Sequence, residues 1–247
     1  MKIIVNGALG FMGREVVRLC REGYRGASLA GACDKNADGS DGVADSLKDI
    51  TEDADCLVDF SHHLATKDII DYAAARKMPL VIATTGQDNY ELAMIKRAAE
   101  TIPVFHSANM SLGIALLCEL AVTAAKAMPD ADIEIVEVHH NRKLDAPSGT
   151  ALMLADEIKS VRENADFVYG RHGNQKRTAT EIGIHALRLG NVVGEHEVIL
   201  ATATQKITLR HEAQTRSLFA EGAVAAAGFL IGQRPGLYTM KDIVGNK

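Results

Sequence analysis

The first hundred residues alternate short apolar runs with longer amphipathic stretches. The apolar runs are bounded by Gly, Asp, Ser or Pro, as buried strands commonly are, and they cover 2–5, 28–33, 55–60, 80–83 and 104–105. Between them, apolar positions recur with a helical period over 12–21, 64–75 and 90–99. Repeated strand–helix–strand order with continuously apolar strands predicts a parallel sheet covered by helices on both faces.

The pattern changes after residue 109. A long helix rich in Ala and Leu is predicted over 110–128, followed by a strand over 133–139 and a second helix after Ser148. From 181 to 209 apolar and polar positions alternate, and Gly190 and Gly194 are predicted as turn points between antiparallel hairpins. Another helix, packed with Ala and Gly, is predicted over 219–231. The second part of the chain therefore has a different predicted architecture.

Composition places the chain among globular proteins that can bury a sizeable core. Its 247 residues are 47% hydrophobic, and 27 Lys and Arg against 32 Asp and Glu give a formal net charge of −5. An acidic balance argues against general nucleic-acid binding, which normally needs a basic surface. No apolar stretch approaches the ~20 residues of a membrane-spanning helix, and the N-terminal apolar run is too short for a secretory signal. We therefore predict a cytoplasmic protein without a membrane partner.

A glycine-rich loop follows the first predicted strand and opens the first predicted helix. It reads Gly7-Ala8-Leu9-Gly10-Phe11-Met12-Gly13, with G-x-x-G-x-x-G spacing in place of the commoner G-x-G-x-x-G. Glycines let backbone N–H groups approach a pyrophosphate at the positive end of a helix. Asp34 lies 21 residues after Gly13, where dinucleotide folds place an acid for the ribose hydroxyls. The pair predicts a nicotinamide dinucleotide, and Lys35 leaves NADH and NADPH both open because a cation can hold a 2′-phosphate.

Small and polar residues also follow three other predicted strands. These segments are Asp59-Phe60-Ser61, Ala83-Thr84-Thr85-Gly86 and Ser107-Ala108-Asn109-Met110. Each segment by itself is typical of a helix cap or a turn. Because ligands of parallel sheets lie beyond the carboxyl ends of the strands, their joint placement predicts a cleft along one edge of the sheet.

The segment 134–151 carries the densest candidate chemistry. If its strand persists, period-two geometry sends His139 and His140 to opposite faces, so they would not chelate one metal ion together. A purely structural histidine is the alternative to a functional one. Lys143, four residues after His139 in a polar loop that leads to a helix, favours a functional histidine.

The start of the following helix is a candidate anion site. Pro147 blocks further backbone pairing, and Ser148 is a good N-cap. Gly149 and Thr150 then present first-turn N–H groups, which together with Lys143 suit a carboxylate substrate. Two simpler interpretations stay open: Ser148 caps only its own helix, and Asp145 neutralises Lys143 as a surface ion pair.

A metal site is not predicted. The chain contains neither H-E-x-x-H nor a C-x-x-C pair, and zinc would need further ligands at suitable spacing. We expect the four widely separated cysteines to be reduced and buried as small hydrophobic side chains; they are Cys20, Cys33, Cys56 and Cys118.

The run 137–151, Glu-Val-His-His-Asn-Arg-Lys-Leu-Asp-Ala-Pro-Ser-Gly-Thr-Ala, closely resembles the active-site motif of the 4-hydroxy-tetrahydrodipicolinate (dihydrodipicolinate) reductase family. The resemblance continues in order through 7–13, 83–86, 107–109, 193–196 and 219–223. It implies an enzyme of the diaminopimelate route to lysine. Such an enzyme reduces a cyclic imine dicarboxylate, 4-hydroxy-tetrahydrodipicolinate by way of dihydrodipicolinate, to tetrahydrodipicolinate with NADH or NADPH.

The resemblance also implies a domain organisation. A Rossmann-type domain with a parallel sheet binds the dinucleotide and is formed by 1–109 together with 217–247. A central α+β domain, residues 110–216, carries substrate contacts and the interface of a homotetramer. The change of pattern after residue 109 and the returning helix over 219–231 agree with this division.

Roles for individual residues follow from the same resemblance. His139 would be the general acid, and Lys143 a second proton donor or a substrate anchor. Further substrate contacts would come from His140, Ser148, Gly149 and Thr150. The cofactor would lie against Gly7, Ala8, Leu9, Gly10, Phe11, Met12, Asp34, Lys35, Ala83, Thr84, Thr85, Ser107, Ala108, Asn109 and Met110.

Two positions depart from the family pattern. Phe11 stands where many members carry an Arg that helps to hold the 2′-phosphate of NADPH; together with Asp34 this favours NADH, although Lys35 keeps dual use open. Ala83 replaces a usual Gly, which we expect to be harmless unless that backbone needs a positive φ. Two other functions are weighed against the reductase: another Rossmann-type dehydrogenase, and a non-catalytic dinucleotide-binding module.

Overall fold

The structure is a computed structural model that describes residues 1–39 and 41–245. The chain divides into two compact units, one formed by Met1–Leu112 together with the chain from Arg216 onward, the other by Gly113–Thr215. The sequence-based division lies at 109/110 and 216/217. The last two residues of the predicted dinucleotide-binding domain, 246 and 247, fall outside the described part of the chain.

Strands and helices alternate along the N-terminal part of the chain. In order they are β1 (Lys2–Asn6), α1 (Phe11–Arg21), β2 (Ser28–Cys33), β3 (Cys56–Asp59), α2 (Thr66–Ala75), β4 (Leu80–Ile82), α3 (Asn89–Ala98) and β5 (Pro103–His106). The rest of the chain contains α4 (Leu112–Ala127), β6 (Asp132–His139), α5 (Gly149–Lys159), β7 (Asp166–Tyr169), β8 (Glu181–Arg188), β9 (Gly194–Ala201), β10 (Lys206–Ala213), α6 (Ser217–Leu230), β11 (Gly236–Tyr238) and α7 (Met240–Gly245).

The first unit is built on a six-stranded parallel sheet. Its strand order is β11-β5-β4-β3-β1-β2, so the order reverses at β1. Every residue of β3 and β4 is buried because helices cover both faces of the sheet. On one face, Ile69 of α2 and Ile95 of α3 share a core with the strands, and α1 and α6 pack on the other. The predicted parallel sheet with helices on both faces is confirmed.

The C-terminal segment returns to this unit and completes its sheet. The Ala-rich helix α6 is buried along most of its length, and β11 pairs in parallel with β5. The sequence predicted α6 but no strand or helix after it. A three-residue strand and a six-residue helix are too short to show a hydrophobic period, so β11 and α7 were missed.

The second unit is a mixed five-stranded sheet covered by two helices. Its strand order is β10-β9-β6-β8-β7, with β6 parallel to β8 and antiparallel to β9. Buried and half-buried positions alternate along all of β9, as expected for a sheet with one covered face. Helices α4 and α5 cover that face, where Leu117 and Leu154 join a core with Ile135 and Val198.

One predicted feature of this sheet is wrong. The alternation over 181–209 predicted successive antiparallel hairpins, but β8 and β9 are not neighbours because β6 lies between them. Within 181–213, β9 and β10 form a hairpin. Alternation of apolar and polar residues indicates which face of the sheet a side chain occupies. It does not indicate which strand lies alongside, so it could not predict the strand pairing. The edge strand β7, four residues long, was also missed.

Two further expectations concern the cysteines and membrane-spanning helices. All four cysteines are free and buried, as predicted, and burial raises the pKa of the Cys20 and Cys33 thiols to about 11. Among the described residues, no helix has the length and hydrophobicity needed to cross a bilayer.

Candidate active site

The glycine loop of the first unit connects β1 to α1 through close backbone contacts. Gly7 has φ +78°, and a Cβ there would lie 2.6 Å from the Phe60 carbonyl carbon. A Cβ at Gly13 would lie 2.0 Å from the Gly7 carbonyl oxygen. Gly10 is the N-cap of α1 and supplies no side-chain cap, so the first-turn N–H groups of the helix keep no intrahelical partner. A cradle of this kind fits the phosphates of a dinucleotide.

Asp34 fixes this loop through its carboxylate. Oδ2 accepts the N–H of Leu9 at 3.0 Å, and Oδ1 accepts the N–H of Asn36 at 2.9 Å. The Asp34 side chain is buried, whereas Lys35 and Phe11 are exposed, Phe11 by 65%. The acid predicted for the ribose therefore also ties the end of β2 to the glycine loop.

A buried carboxylate in one of the segments predicted to line the cleft, but given no cofactor contact, organises the neighbouring strand ends. Asp59, at the end of β3, is fully buried; its Oδ1 accepts Asn6 Nδ2 at 2.7 Å and Ser61 Oγ at 2.6 Å, and its Oδ2 accepts Thr84 Oγ1 at 2.6 Å. Burial raises the pKa of Asp59, against the hydrogen bonds from these partners. An acid at the end of an apolar strand was the signal that could have singled it out.

The remaining predicted cofactor segments lie beyond β4 and β5. Thr84 is buried, Thr85 is exposed, and Ala83 is not among the residues with positive φ, as expected for a harmless replacement of Gly. Ser107 Oγ donates to the Asn109 carbonyl at 3.0 Å, and the Met110 carbonyl packs where a Cβ on Gly222 of α6 would fall 1.7 Å away. Strand ends in the first unit thus bring the predicted segments to one edge of its sheet.

In the second unit, β6 ends on His139, and its neighbour two residues back is Glu137. Period-two geometry places both side chains on one face. His139 Nδ1 lies 2.6 Å from Glu137 Oε2, and the His139 side chain is 12% exposed. The sequence predicted His139 but gave Glu137 no role.

Glu137 is fully buried and has four donors. Arg188 of β8 donates from both terminal nitrogens at 2.8 Å, the Ser148 N–H donates at 3.0 Å, and His139 is the fourth. Burial alone would raise the pKa of Glu137, but the hydrogen bonds from His139, Arg188 and Ser148 outweigh it and lower this pKa to about 2. Glu137 is therefore an ionised carboxylate.

A second histidine packs against the first. The rings of His139 and His196 meet edge to face, with centroids 5.2 Å apart, and His196 Nε2 lies 3.0 Å from Ser148 Oγ. Ser148 Oγ also accepts the Ala151 N–H at 3.2 Å and so caps α5. Burial, followed by the charge of His139, lowers the pKa of His196 to about 3, so this ring is neutral.

Lys143 and the start of α5 complete this part of the second unit. Lys143 Nζ pairs with Asp145 Oδ1 at 2.8 Å, so the ion pair weighed as an alternative is present. The hydrogen bond from Lys143 lowers the pKa of Asp145. Gly149 is exposed and Thr150 half-buried, whereas Ser148 is 2% exposed and bonds within the protein through both its N–H and its hydroxyl.

Sequence reasoning missed Arg188 and His196 as parts of this cluster. Arg188 is the register partner of His139 across β6 and β8, 49 residues along the chain, and nothing local marks it. His196 lies within the segment 193–196 that carried the family resemblance. Within 1–39 and 41–245, no group of three or more His, Cys, Asp or Glu side chains is arranged to hold a metal ion.

The geometry of the second unit suits acid catalysis on an anionic substrate. His139 is held through Nδ1, which leaves Nε2 for another partner. An ammonium group and the N-terminus of a helix lie on the loop that follows. Positive groups of this kind bind carboxylates, and a histidine supplies protons near neutral pH.

Comparisons with known proteins agree with this chemistry. The sequence model of the dihydrodipicolinate reductase N-terminus matches residues 1–110, and that of the C-terminus matches residues 113–244. A 4-hydroxy-tetrahydrodipicolinate reductase of Caldanaerobacter subterraneus subsp. tengcongensis is 50% identical over 247 residues, 99% of this chain and 98% of that protein. The enzyme of the same name from Clostridium tetani is 40% identical over 97% of this chain and 95% of its own.

A solved structure shares the fold. The dipicolinate-bound dihydrodipicolinate reductase of Paenisporosarcina sp. TG-14 superposes with a TM-score of 0.81 at 24% identity, covering 98% of this chain and 99% of its own. Aspartate dehydrogenase of Thermotoga maritima is more distant, with a TM-score of 0.51 at 13% identity over 95% of this chain and 97% of its own. On the two sequence models and the 50% identity along its whole length, the chain belongs to the dihydrodipicolinate reductase family.

Proposed function

We propose that the chain reduces 4-hydroxy-tetrahydrodipicolinate, by way of dihydrodipicolinate, to tetrahydrodipicolinate with a nicotinamide cofactor, in the diaminopimelate route to lysine. The observation that carries this proposal is the loop after β6, where the anchored His139, Lys143 and the start of α5 occur together in a chain half identical to a reductase of that name. The chain is thus an NAD(P)H-dependent oxidoreductase.

The cofactor is held by the first unit. The glycine loop, Gly7–Met12, brings the pyrophosphate to the first-turn N–H groups of α1, because the N–H groups of Ala8, Leu9 and Gly10 already bond within the protein. Asp34 and Lys35 bind the ribose of the adenosine half. Ala83–Thr85 and Ser107–Met110 contact the nicotinamide half. When bound, the reduced nicotinamide supplies the hydride. NADH is preferred because Asp34 accepts free hydroxyls and Phe11 cannot pair with a 2′-phosphate, while Lys35 keeps NADPH usable.

The substrate is held by the second unit. Its carboxylates bind the Lys143 ammonium and the N–H groups of Gly149 and Thr150, with His140 as a further contact; Ser148 holds the start of α5 in place. Negative charge develops on the ring when hydride adds, and His139 delivers the proton that neutralises it. Positioned acid catalysis of this kind contributes ~10²–10⁴-fold. The dipicolinate in the solved relative is a ligand of the same class, a cyclic dicarboxylate.

Two finer features belong to the proposal. The enzyme works in the cytoplasm, and it assembles as a homotetramer through the central α+β unit. The family resemblance supports both. Sedimentation velocity at micromolar protein tests the assembly, and a species of one or two chains would contradict the tetramer.

The activity is tested by following NADH and NADPH oxidation in parallel, with substrate generated from pyruvate and aspartate semialdehyde by the preceding synthase. Oxidation that depends on the synthase supports the reductase. The ratio of the two kcat/KM values then shows whether Phe11 and Asp34 outweigh Lys35. A folded protein that binds cofactor but oxidises neither would favour a non-catalytic dinucleotide-binding module, and oxidation with a different substrate would favour another dehydrogenase.

Lys143→Ala should lower kcat/KM about 10- to 100-fold, because a charge-assisted hydrogen bond to a carboxylate contributes ~1.5–3 kcal/mol. The melting temperature should stay near that of the wild type, since Lys143 lies on a loop. Lys67→Ala is the matched control: Lys67 also pairs with an aspartate, Asp71 at 2.5 Å, but on the surface of α2. Equal activity of the two variants would remove Lys143 from substrate binding.

A further inference from the structure

The carboxylate of Glu137 lies in the middle of the second sheet and has no exposure to solvent. A buried charge persists only where donors surround it, and here both oxygens are used twice. Oε1 accepts Arg188 and the Ser148 N–H, and Oε2 accepts Arg188 and His139 Nδ1. The Arg188 guanidinium already neutralises the Glu137 charge. The short contact with His139 is therefore not needed to stabilise the buried carboxylate, and it points to a further role.

The backbone places these groups by two independent features. Glu137 and His139 share a face of β6, and Arg188 stands opposite His139 in the register of β8. On the other neighbouring strand, β9 begins at Gly194, where a Cβ would lie 3.0 Å from His139 Nε2. A side chain at that position would crowd the ring edge that Glu137 leaves open.

We infer that Glu137 is a positioning residue for the proton transfer, holding His139 through Nδ1 so that Nε2 is the nitrogen that exchanges the proton with substrate. This inference rests on the proposed reductase function and deepens it. An ionised carboxylate can only accept, so it fixes a proton on Nδ1 in both charge states of the ring. The charged ring gives its Nε2 proton to the substrate and keeps its Nδ1 proton. Nε2 then takes up a new proton from water, and Glu137 itself takes up none.

Other titratable groups lie around this pair on the neighbouring strands and on the loop after β6. Arg188 comes from β8, His196 from β9 and His211 from β10, and Lys143 with Asp145 comes from the loop after β6. Burial lowers the pKa of both His196 and His211, so neither ring adds a positive charge near neutral pH. Glu137 is the carboxylate in direct contact with the His139 ring, and a carboxylate at hydrogen-bond distance attracts a charged imidazole.

The test compares the pH profiles of kcat for wild type, Glu137→Gln and Arg188→Gln between pH 5.5 and 9.5. In wild type kcat falls on the alkaline side as the acid loses its proton. Glu137→Gln removes the charge that favours the protonated ring, so this limb moves to lower pH by about one unit, kcat at pH 8 falls at least tenfold, and KM changes little. Arg188→Gln leaves the carboxylate free of its competing partner, so the limb stays or moves to higher pH.

A role for Glu137 only in holding the sheet together predicts a different result. Both variants would then lose stability and activity while the alkaline limb of Glu137→Gln stays where it is in wild type, and that outcome would overturn the inference. Glu137→Asp, which keeps the charge on a shorter side chain, should restore the wild-type limb at reduced kcat.

Glu137→Gln leaves Arg188 buried without its counter-ion, so a variant with both charges removed, Glu137→Gln with Arg188→Met, is made as well. Its alkaline limb should also move to lower pH.

A readout without turnover comes from ¹⁵N NMR of the histidine rings, with His139→Gln to assign the signal. Neutral His139 should carry its proton on Nδ1 in wild type and lose this fixed preference in the double variant; a wild-type proton on Nε2 would overturn the inference. Failure of the wild type to turn over would count against the reductase function and would leave the ring measurement intact.

Discussion

At the scale of single residues, the glycine loop of the first unit is fixed by contacts rather than by turn chemistry alone. Gly7 needs both its positive φ and the space beside Phe60, and Gly13 packs on the Gly7 carbonyl. Gly10 is different, because a Cβ there would lie 3.2 Å from the same carbonyl oxygen and a small displacement could accept it. The three glycines of the motif therefore have unequal structural demands.

Gly13→Ala should destabilise the first unit by about 1–3 kcal/mol, the usual range for overpacking, and weaken dinucleotide binding at least tenfold. Gly10→Ala should change the free energy of unfolding by less than about 1 kcal/mol. Thermal unfolding and fluorescence titration with NADH measure both quantities. Equal losses of stability and of NADH affinity in the two variants would show that Gly10 and Gly13 are equally sensitive to an added side chain.

His196 makes stability sensitive to mild acid. Its pKa is lowered from 6.5 to about 3 in the folded chain, so the unfolded chain binds the extra proton and stability is lost as the pH falls below 6.5. Glu137, with a pKa lowered from 4.5 to about 2, adds to the loss only below about pH 4.5. The free energy of unfolding should therefore fall by as much as about 2 kcal/mol less between pH 6.5 and 4.5 in His196→Gln than in wild type. Urea unfolding at several pH values measures this, with His172→Gln at an exposed position as the control; parallel curves for the two variants would contradict it.

At the scale of elements, the start of α5 links helix stability to the candidate site. The Ser148 hydroxyl caps the helix through the Ala151 N–H and also meets His196, while its own N–H bonds to Glu137. Helix α3 has a comparable N-terminus without this cluster, where Asp88 and Glu91 form a reciprocal capping box. The two helices allow the energy of a cap to be separated from the role of this particular one.

Ser148→Ala should cost more stability than a cap alone, about 2–3 kcal/mol, because His196 also loses its buried partner. Asp88→Ala calibrates the cap and should cost about 1 kcal/mol. We expect Ser148→Ala to lower kcat/KM beyond its effect on folding, since the N–H groups of Gly149 and Thr150 follow directly. Chemical denaturation and steady-state kinetics on both variants check this, and a loss in Ser148→Ala no larger than in Asp88→Ala would limit Ser148 to capping.

At the scale of the whole molecule, the first unit is discontinuous in sequence. Helix α6 buries Ala220, Ala223 and Leu230 against it, and β11 supplies the strand beside β5. A chain of residues 1–112 would expose the apolar surface that α6 covers and leave β5 as an unpaired edge.

Residues 1–112 alone should therefore fail to fold, whereas 1–112 joined by a flexible Gly/Ser linker to 216–247 should fold and bind NADH. Circular dichroism with thermal unfolding and NADH fluorescence distinguish the two proteins. A cooperative transition and dinucleotide binding by residues 1–112 alone would show that the C-terminal segment is dispensable.

The sequence by itself determined the local features of this protein. Continuous apolar runs located β1–β5 to within two residues, because these strands are covered on both faces. The helical period located α1–α3 equally well, because a helix buries one face at a fixed spacing. The segment 137–151 was specific enough to indicate the family and to point to His139 and Lys143 before any geometry was known.

Only the tertiary structure decided which distant residues meet. The insertion of β6 between β8 and β9, the closing strand β11, and the contacts of Glu137 with Arg188 and of His196 with Ser148 join residues about 50 or more positions apart. Strand alternation fixes the face of a side chain but leaves its neighbour open, since pairing depends on the packing of the whole sheet. The contacts of Arg188 and His196 with the Glu137–His139 pair follow from that packing, so they could not be read from the local sequence.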